Sequence, residues 1–130
     1  VAGGLINRML PGQVATATAQ VYDPATGGWS AVGPAARARY NFAMVALTDG
    51  RVVMAGGANE WDNAWDDSNF VREVELYTPS TGWQVIGELP EPRAELAAAL
   101  LPGDQVWLVG GRTATRYWAS TWFVDANNLP

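Results

Sequence analysis

The sequence predicts an all-β chain assembled from copies of one four-stranded unit of roughly fifty residues. Two observations carry that prediction. A strand-like run that stops on two adjacent glycines occurs twice, as LTDGRVVMAGG at 47–57 and LPGDQVWLVGG at 101–111. A turn leading to a tryptophan, VYDPATGGW at 21–29, returns as LYTPSTGW at 76–83.

The copies align residue by residue. Leu47 falls on Leu101, Val52 on Val106, Gly56 on Gly110 and Gly57 on Gly111, an offset of 54 that also places Arg39 on Arg93 and Trp29 on Trp83. Upstream of the tryptophan the offset is 55, because Gly28 adds one residue to the first turn. At the amino terminus, VAGG repeats the glycine pair 53 residues before Gly56.

Each element follows from its residues. Residues 16–22 and 73–77 alternate small or polar residues with apolar ones, a strand pattern. Pro24-Ala25-Thr26-Gly27 and Pro79-Ser80-Thr81-Gly82 are turn sequences, each opening a tryptophan strand. Residues 39–47 and 93–101 are apolar and alanine-rich, and the repeat assigns them to a first strand. Residues 52–55 and 106–109 are short and rich in β-branched residues, preceded by the hairpin pairs Asp49-Gly50 and Gly103-Asp104. Four short strands per unit, repeating at this period, match the blades of a β-propeller.

The same residues resemble the kelch repeat: a glycine pair, then a Tyr, then a Trp about six residues on, then an Arg before the next strand. The sets are Gly3-Gly4, Tyr22, Trp29 and Arg39, then Gly56-Gly57, Tyr77, Trp83 and Arg93. A last set opens at Gly110-Gly111 and carries Val124 in the Tyr position. The resemblance implies all-β, kelch-type propeller blades of four antiparallel strands, with the Tyr and Trp packing near the glycine pair. Such folds host unrelated functions, so the activity has to come from the loops.

A closed propeller uses four to eight blades. At 54 residues per unit, 130 residues supply about 2.4. The expected division is the end of a blade at 1–36, a complete blade at 37–90 and the start of a third at 91–130. The open sheet edges this leaves make an isolated monomer unfavourable. Either further blades of a longer polypeptide or other chains complete the ring.

Composition excludes much chemistry. All eight basic residues are Arg, the net charge is −5, and there is no His and no Cys. An acidic chain without a basic stripe does not suit nucleic acid. Without Cys there is no disulfide and no thiolate nucleophile, and without His the usual neutral-pH acid–base group is missing. No apolar run is long enough to span a bilayer. No cofactor and no metal site are expected; the acidic stretch DNAWDDSN departs from the D-x-D-x-D-G calcium loop.

Antiparallel order puts the loops after the glycine pairs on the same face as the lead-ins to the Arg strands. Lengths vary most there, as expected where function is grafted onto a scaffold. The insert ANEWDNAWDDSNF at 58–70 combines acidic and aromatic residues, and RTATRYWAST at 112–121 adds more. The candidate partner-binding residues are Trp61, Asp62, Trp65, Asp66, Asp67, Arg112 and Trp118. Tryptophan on a rim is a recognition anchor, though it can equally fold back over a blade edge. Arg37, Arg39, Arg93 and Arg112 belong to the same face and suit carboxylates, or, for Arg39 and Arg93, pairing with neighbouring blades.

The leading functional expectation is a non-catalytic protein-interaction scaffold whose partner is a protein or the rest of the propeller. A secreted galactose-oxidase-like copper enzyme is the alternative; its His ligands and Cys-linked Tyr would have to lie outside this chain. A glycan-binding surface is the third reading.

Overall fold

The computed structural model describes residues 1–6, 14–60 and 66–128. The strands, in chain order, are β1 (Leu5–Ile6), β2 (Val14–Ala15), β3 (Ala19–Asp23), β4 (Gly28–Val32), β5 (Ala43–Ala46), β6 (Val52–Ala55), β7 (Glu73–Thr78), β8 (Gly82–Glu88), β9 (Ala97–Leu101), β10 (Gln105–Val109) and β11 (Thr121–Asp125). One 3₁₀ turn, η1 (Asp67–Asn69), precedes β7. Among the described residues no helix is long and apolar enough to cross a membrane.

The architecture is a series of antiparallel sheets. The central sheet has four strands in the order β5-β6-β7-β8; it is followed by β9-β10-β11 and preceded by the β3-β4 hairpin. Register repeats with the sequence. Val53 pairs with Val45 and Leu76 in the central sheet, and Trp107 pairs with Ala99 and Phe123 in the third.

Apolar side chains from facing sheets meet in two layers. Val53, Ala55, Val74 and Leu76 of the central sheet bury against Val106 and Leu108 of the third. Ala2, Ala19 and Ala35 bury with Met54 between the first hairpin and the central sheet. A third contact is polar: the buried Asp104 carboxylate, in the β9-β10 turn, accepts from the Thr48 backbone N–H at 3.0 Å and from its hydroxyl at 2.8 Å. Beside it Arg51 reaches the Ala126 carbonyl and the Asn127 side chain, both at 2.9 Å.

The glycine pair has two jobs. Gly56 has φ +67° and Gly57 has φ +105°, a region that excludes most side chains. A Cβ on Gly56 would strike the Arg93 carbonyl and would lie 2.9 Å from Leu96 Cδ2, both in the lead-in to the next sheet. A Cβ on Gly57 would lie 2.8 Å from the Tyr40 carbonyl, in the lead-in to its own sheet. One glycine lets the next sheet approach; the other lets the chain cross its own first strand.

Two expectations need correcting. The first strands are shorter than the apolar runs, because β5 begins at Ala43 and β9 at Ala97. Asn41 and Glu95, at equivalent positions, adopt φ 52° and 56°, and these left-handed residues break each strand. The Tyr and Trp also do not pack near the glycine pair. Tyr77 pairs with Val52, at the end of β6 remote from Gly56, and its ring lies 5.3 Å from Trp83. This cross-strand couple recurs as Tyr22–Trp29 at 5.1 Å.

Candidate functional site

The expected face forms. Residues just after the glycine pairs bridge residues just after the arginines, Ala58 to Tyr40 and Arg112 to Ala94. Three inserts therefore leave the sheets at one end, their described parts being 5–6 and 14–15 (β1 and β2), 58–60 and 66–70 (with η1), and 112–118.

These inserts are tied side by side. Val14 bridges Glu60, and the Ala15 N–H donates to the Asn59 carbonyl at 3.3 Å. The Tyr40 hydroxyl reaches the Glu60 carbonyl at 3.1 Å, and burial raises its pKa. Between the second and third inserts, the Thr115 hydroxyl donates to Asp67 at 2.7 Å and the Thr115 N–H at 3.3 Å. The Thr115 hydroxyl bond is the main cause holding the Asp67 carboxyl below its ordinary value. Asp66 caps η1 by accepting from the Ser68 N–H at 2.9 Å, which lowers its pKa.

Of the candidate residues, Asp66, Asp67, Arg112 and Trp118 lie on this face; Trp61, Asp62 and Trp65 fall outside the described residues. Arg112 clamps Glu95 through two bonds of 2.7 and 2.6 Å. That clamp raises the Arg112 pKa and lowers that of Glu95. Trp118 is half-buried, with the Arg93 guanidinium 5.2 Å and that of Arg116 5.9 Å from its ring centroid.

Arg37, Arg39 and Arg93 are already occupied. Arg39 is fully buried and paired with the buried Glu75, whose carboxylate also accepts from the Ala36 N–H at 2.7 Å and the Arg37 N–H at 3.3 Å. Burial lowers the Arg39 pKa, against the opposing pull of Glu75. Arg93 is buried too, but Trp122 stands where the second unit has Glu75, so its partner is Glu91 at 2.7 Å. Arg37 pairs with Glu73 at 2.6 Å; burial raises the Glu73 carboxyl most, and the bond and charge of Arg37 together with backbone N–H groups outweigh it to leave a net lowering. Arg37, Arg39 and Arg93 thus pair within their own sheets, not across to neighbouring ones; at this end what crosses is the backbone, where Gly57 N–H donates to Arg93 O at 2.8 Å.

Sequence reasoning missed Asn41 and Glu95. Both are exposed, both have positive φ, and the Glu95 N–H donates to the Asn41 carbonyl at 2.8 Å, linking adjacent sheets at the start of their first strands. Their common place in the repeat was visible; Asn tolerates positive φ but Glu does not favour it, so the two together did not mark the conformation. Among the described residues no group of three or more acidic, His or Cys side chains is placed to hold a metal.

No protein-family profile matches the chain. Curated relatives do. Kelch-like protein terF of Aspergillus terreus is 33% identical over 98 residues, covering 74% of this chain and 21% of that protein. Alpha-scruin of Limulus polyphemus is 32% identical over 102 residues, covering 78% and 10%. Human Kelch-like protein 33 is 35% identical over 106 residues, covering 80% and 18%. The solved structure of YjhT superposes with a TM-score of 0.76 at 19% identity, over 95% of this chain and 45% of that one. This chain therefore spans about a fifth or less of the curated relatives it matches.

Proposed function

The chain belongs to the kelch-repeat family, a segment of a β-propeller, and we propose that within a longer protein it acts as a non-catalytic scaffold that holds a protein partner on the face built by its three inserts. The observation that carries this reading is the side-by-side tying of those inserts, Val14 to Glu60 and Asp67 to Thr115. Loops fixed to one another lose little entropy on binding. Among the described residues Arg37, Arg39, Arg93 and Arg112 are each paired with a carboxylate, so an acidic sugar has less to recognise there than an extended protein surface has. Trp61 and Trp65, from the same insert, are the aromatic anchors of the proposal.

Affinity capture with the full-length protein tests it, comparing wild type with Trp61→Ala/Trp65→Ala and with Thr115→Ala. The expected result is one or more proteins held by the wild type and lost from the tryptophan variant, with weaker capture by Thr115→Ala and unchanged melting of all three. Equal capture by all three would overturn the assignment of the face.

A further inference from the structure

The third insert is a tight hairpin. Arg112 bridges Tyr117, the Thr113 N–H donates to the Arg116 carbonyl at 2.8 Å, and Ala114 and Thr115 form the tip. Thr115 is exposed, whereas Thr113 is only 3% exposed. Exposed loop tips are where modifying enzymes gain access to a chain. Both sides of the seam at this tip, 66–70 and 112–118, belong to the described residues, so its geometry is complete within them.

Thr115 turns two donors toward one carboxylate, its hydroxyl at 2.7 Å and its N–H at 3.3 Å from Asp67. The hydroxyl bond chiefly, with the Thr115 and Ala114 N–H groups, keeps the Asp67 carboxyl ionised below its ordinary value. An ionised Asp67 beside Asp66 accepts a donor and repels an anion. Cations flank the same hydroxyl, Arg112 three residues before it and Arg116 one residue after. Arg112 is clamped by Glu95. Arg116 is exposed and makes no ion pair among the described residues; its guanidinium lies 5.9 Å from the Trp118 ring centroid.

We propose that Thr115 is a phosphorylation site, and that phosphate there releases the second insert from the third. Its flanks suit an arginine-directed protein kinase, whose acidic groove selects guanidinium groups beside the acceptor. The Thr115 Oγ attacks the γ-phosphorus of a nucleoside triphosphate held by that kinase. The new Oγ–P bond replaces the bond to the β-phosphate oxygen, the nucleoside diphosphate leaves, and the hydroxyl proton passes to a carboxylate of the kinase. The donor to Asp67 is then gone, and close to two negative charges stand in its place. The phosphate turns to the unpaired Arg116. The seam thus has two states, hydroxyl on Asp67 or phosphate on Arg116. This switch presupposes that the inserts form the partner face, and it sets whether they are presented as one surface or as two.

Incubating the folded full-length protein with ATP and the catalytic subunit of cAMP-dependent protein kinase, an arginine-directed enzyme, tests the site by phosphopeptide mapping. One phosphate at Thr115 is expected, with Thr113 and Ser68 unmodified. Absence of phosphate from Thr115, or its transfer only to the urea-unfolded chain, overturns the proposal. Hydrogen exchange then reads the seam without any partner. The amides of 66–70 should exchange about tenfold faster or more once Thr115 is phosphorylated, as loss of a hydrogen bond to a charged group requires. Unchanged exchange overturns the release. Asp67→Asn removes the charge that the phosphate repels, so phosphorylation of that variant should alter the same amides by less than about twofold. An equal acceleration in that variant overturns the two-state seam. Because no readout uses a partner, failure here leaves the partner face standing, and failure of partner capture leaves the modification standing.

Discussion

Replacing Gly56 by alanine isolates the step at which one sheet is laid against the next. Its backbone has φ +67°, where an L-residue costs about 1–2 kcal/mol. The new Cβ would also collide with the Arg93 carbonyl and stand 2.9 Å from Leu96 Cδ2. Neither neighbour yields easily. The carbonyl accepts from Gly57 N–H at 2.8 Å, and Leu96 is 8% exposed in the layer between the sheets. Overpacking of that kind adds about 1–3 kcal/mol. Gly50→Ala is the matched control, since Gly50 has φ +87° and open space where its Cβ would go. It should lose only the backbone contribution. Urea denaturation of both variants gives the difference, expected to be about 1–3 kcal/mol in favour of Gly50→Ala. Equal losses would refute the claim that Gly56 is needed for contact between sheets, and would reduce the pair to a turn.

The buried ion pair gives a second test: Glu75→Leu strands Arg39 and should cost about 3–5 kcal/mol by chemical denaturation. Adding Arg39→Met should recover only part of this, because the Ala36 and Arg37 N–H groups still lose their acceptor. Acid stability carries a third. The Glu73 and Glu95 carboxyls titrate below their ordinary 4.5 in the fold, so their contribution is present above that value and is lost as pH falls through the lowered folded pKa. Urea midpoints should therefore fall below about pH 4.5, less steeply in Arg112→Gln, which releases Glu95. A fourth concerns the far end of the sheets: Thr48→Val removes a hydroxyl donor from the buried Asp104 and should cost about 1–3 kcal/mol, whereas Thr48→Ser should cost less.

What the sequence made legible was what is local. The glycine pairs and the hairpin turns are fixed by residues within about ten positions of one another, and alignment of the copies exposed them; the recurrence of Tyr and Trp was visible too, but not that they couple across strands away from the glycines. The Asn41 and Glu95 conformations were not legible, because tertiary contacts impose positive φ on residues that do not demand it. Nor was the pairing between inserts. Asp67 and Thr115 are 48 residues apart, and no pattern of either insert announces the other. In the sequence Glu75 is one of two acidic positions, with Glu73, of an alternating strand, and only the fold shows that it is buried with Arg39 opposite it.

That arginine also explains why Arg and the glycine pair occur together. Arg39 and Arg93 do not recur for the sake of one acid, since the first pairs with Glu75 of β7 and the second with Glu91 in the lead-in to β9. What both do identically is donate from Nη1 to the first glycine's carbonyl, Arg39 to Gly56 and Arg93 to Gly110, each at 3.0 Å. Positive φ at that glycine turns the chain out of the sheet and takes its carbonyl from the strand ladder. A buried carbonyl without a donor is costly, and the guanidinium supplies one from the strand lead-in that the second glycine lets pass. The glycine pair and the arginine are thus one device, in which the turn creates the acceptor and the crossing strand satisfies it. The acid that neutralises the arginine is free to move from one unit to the next.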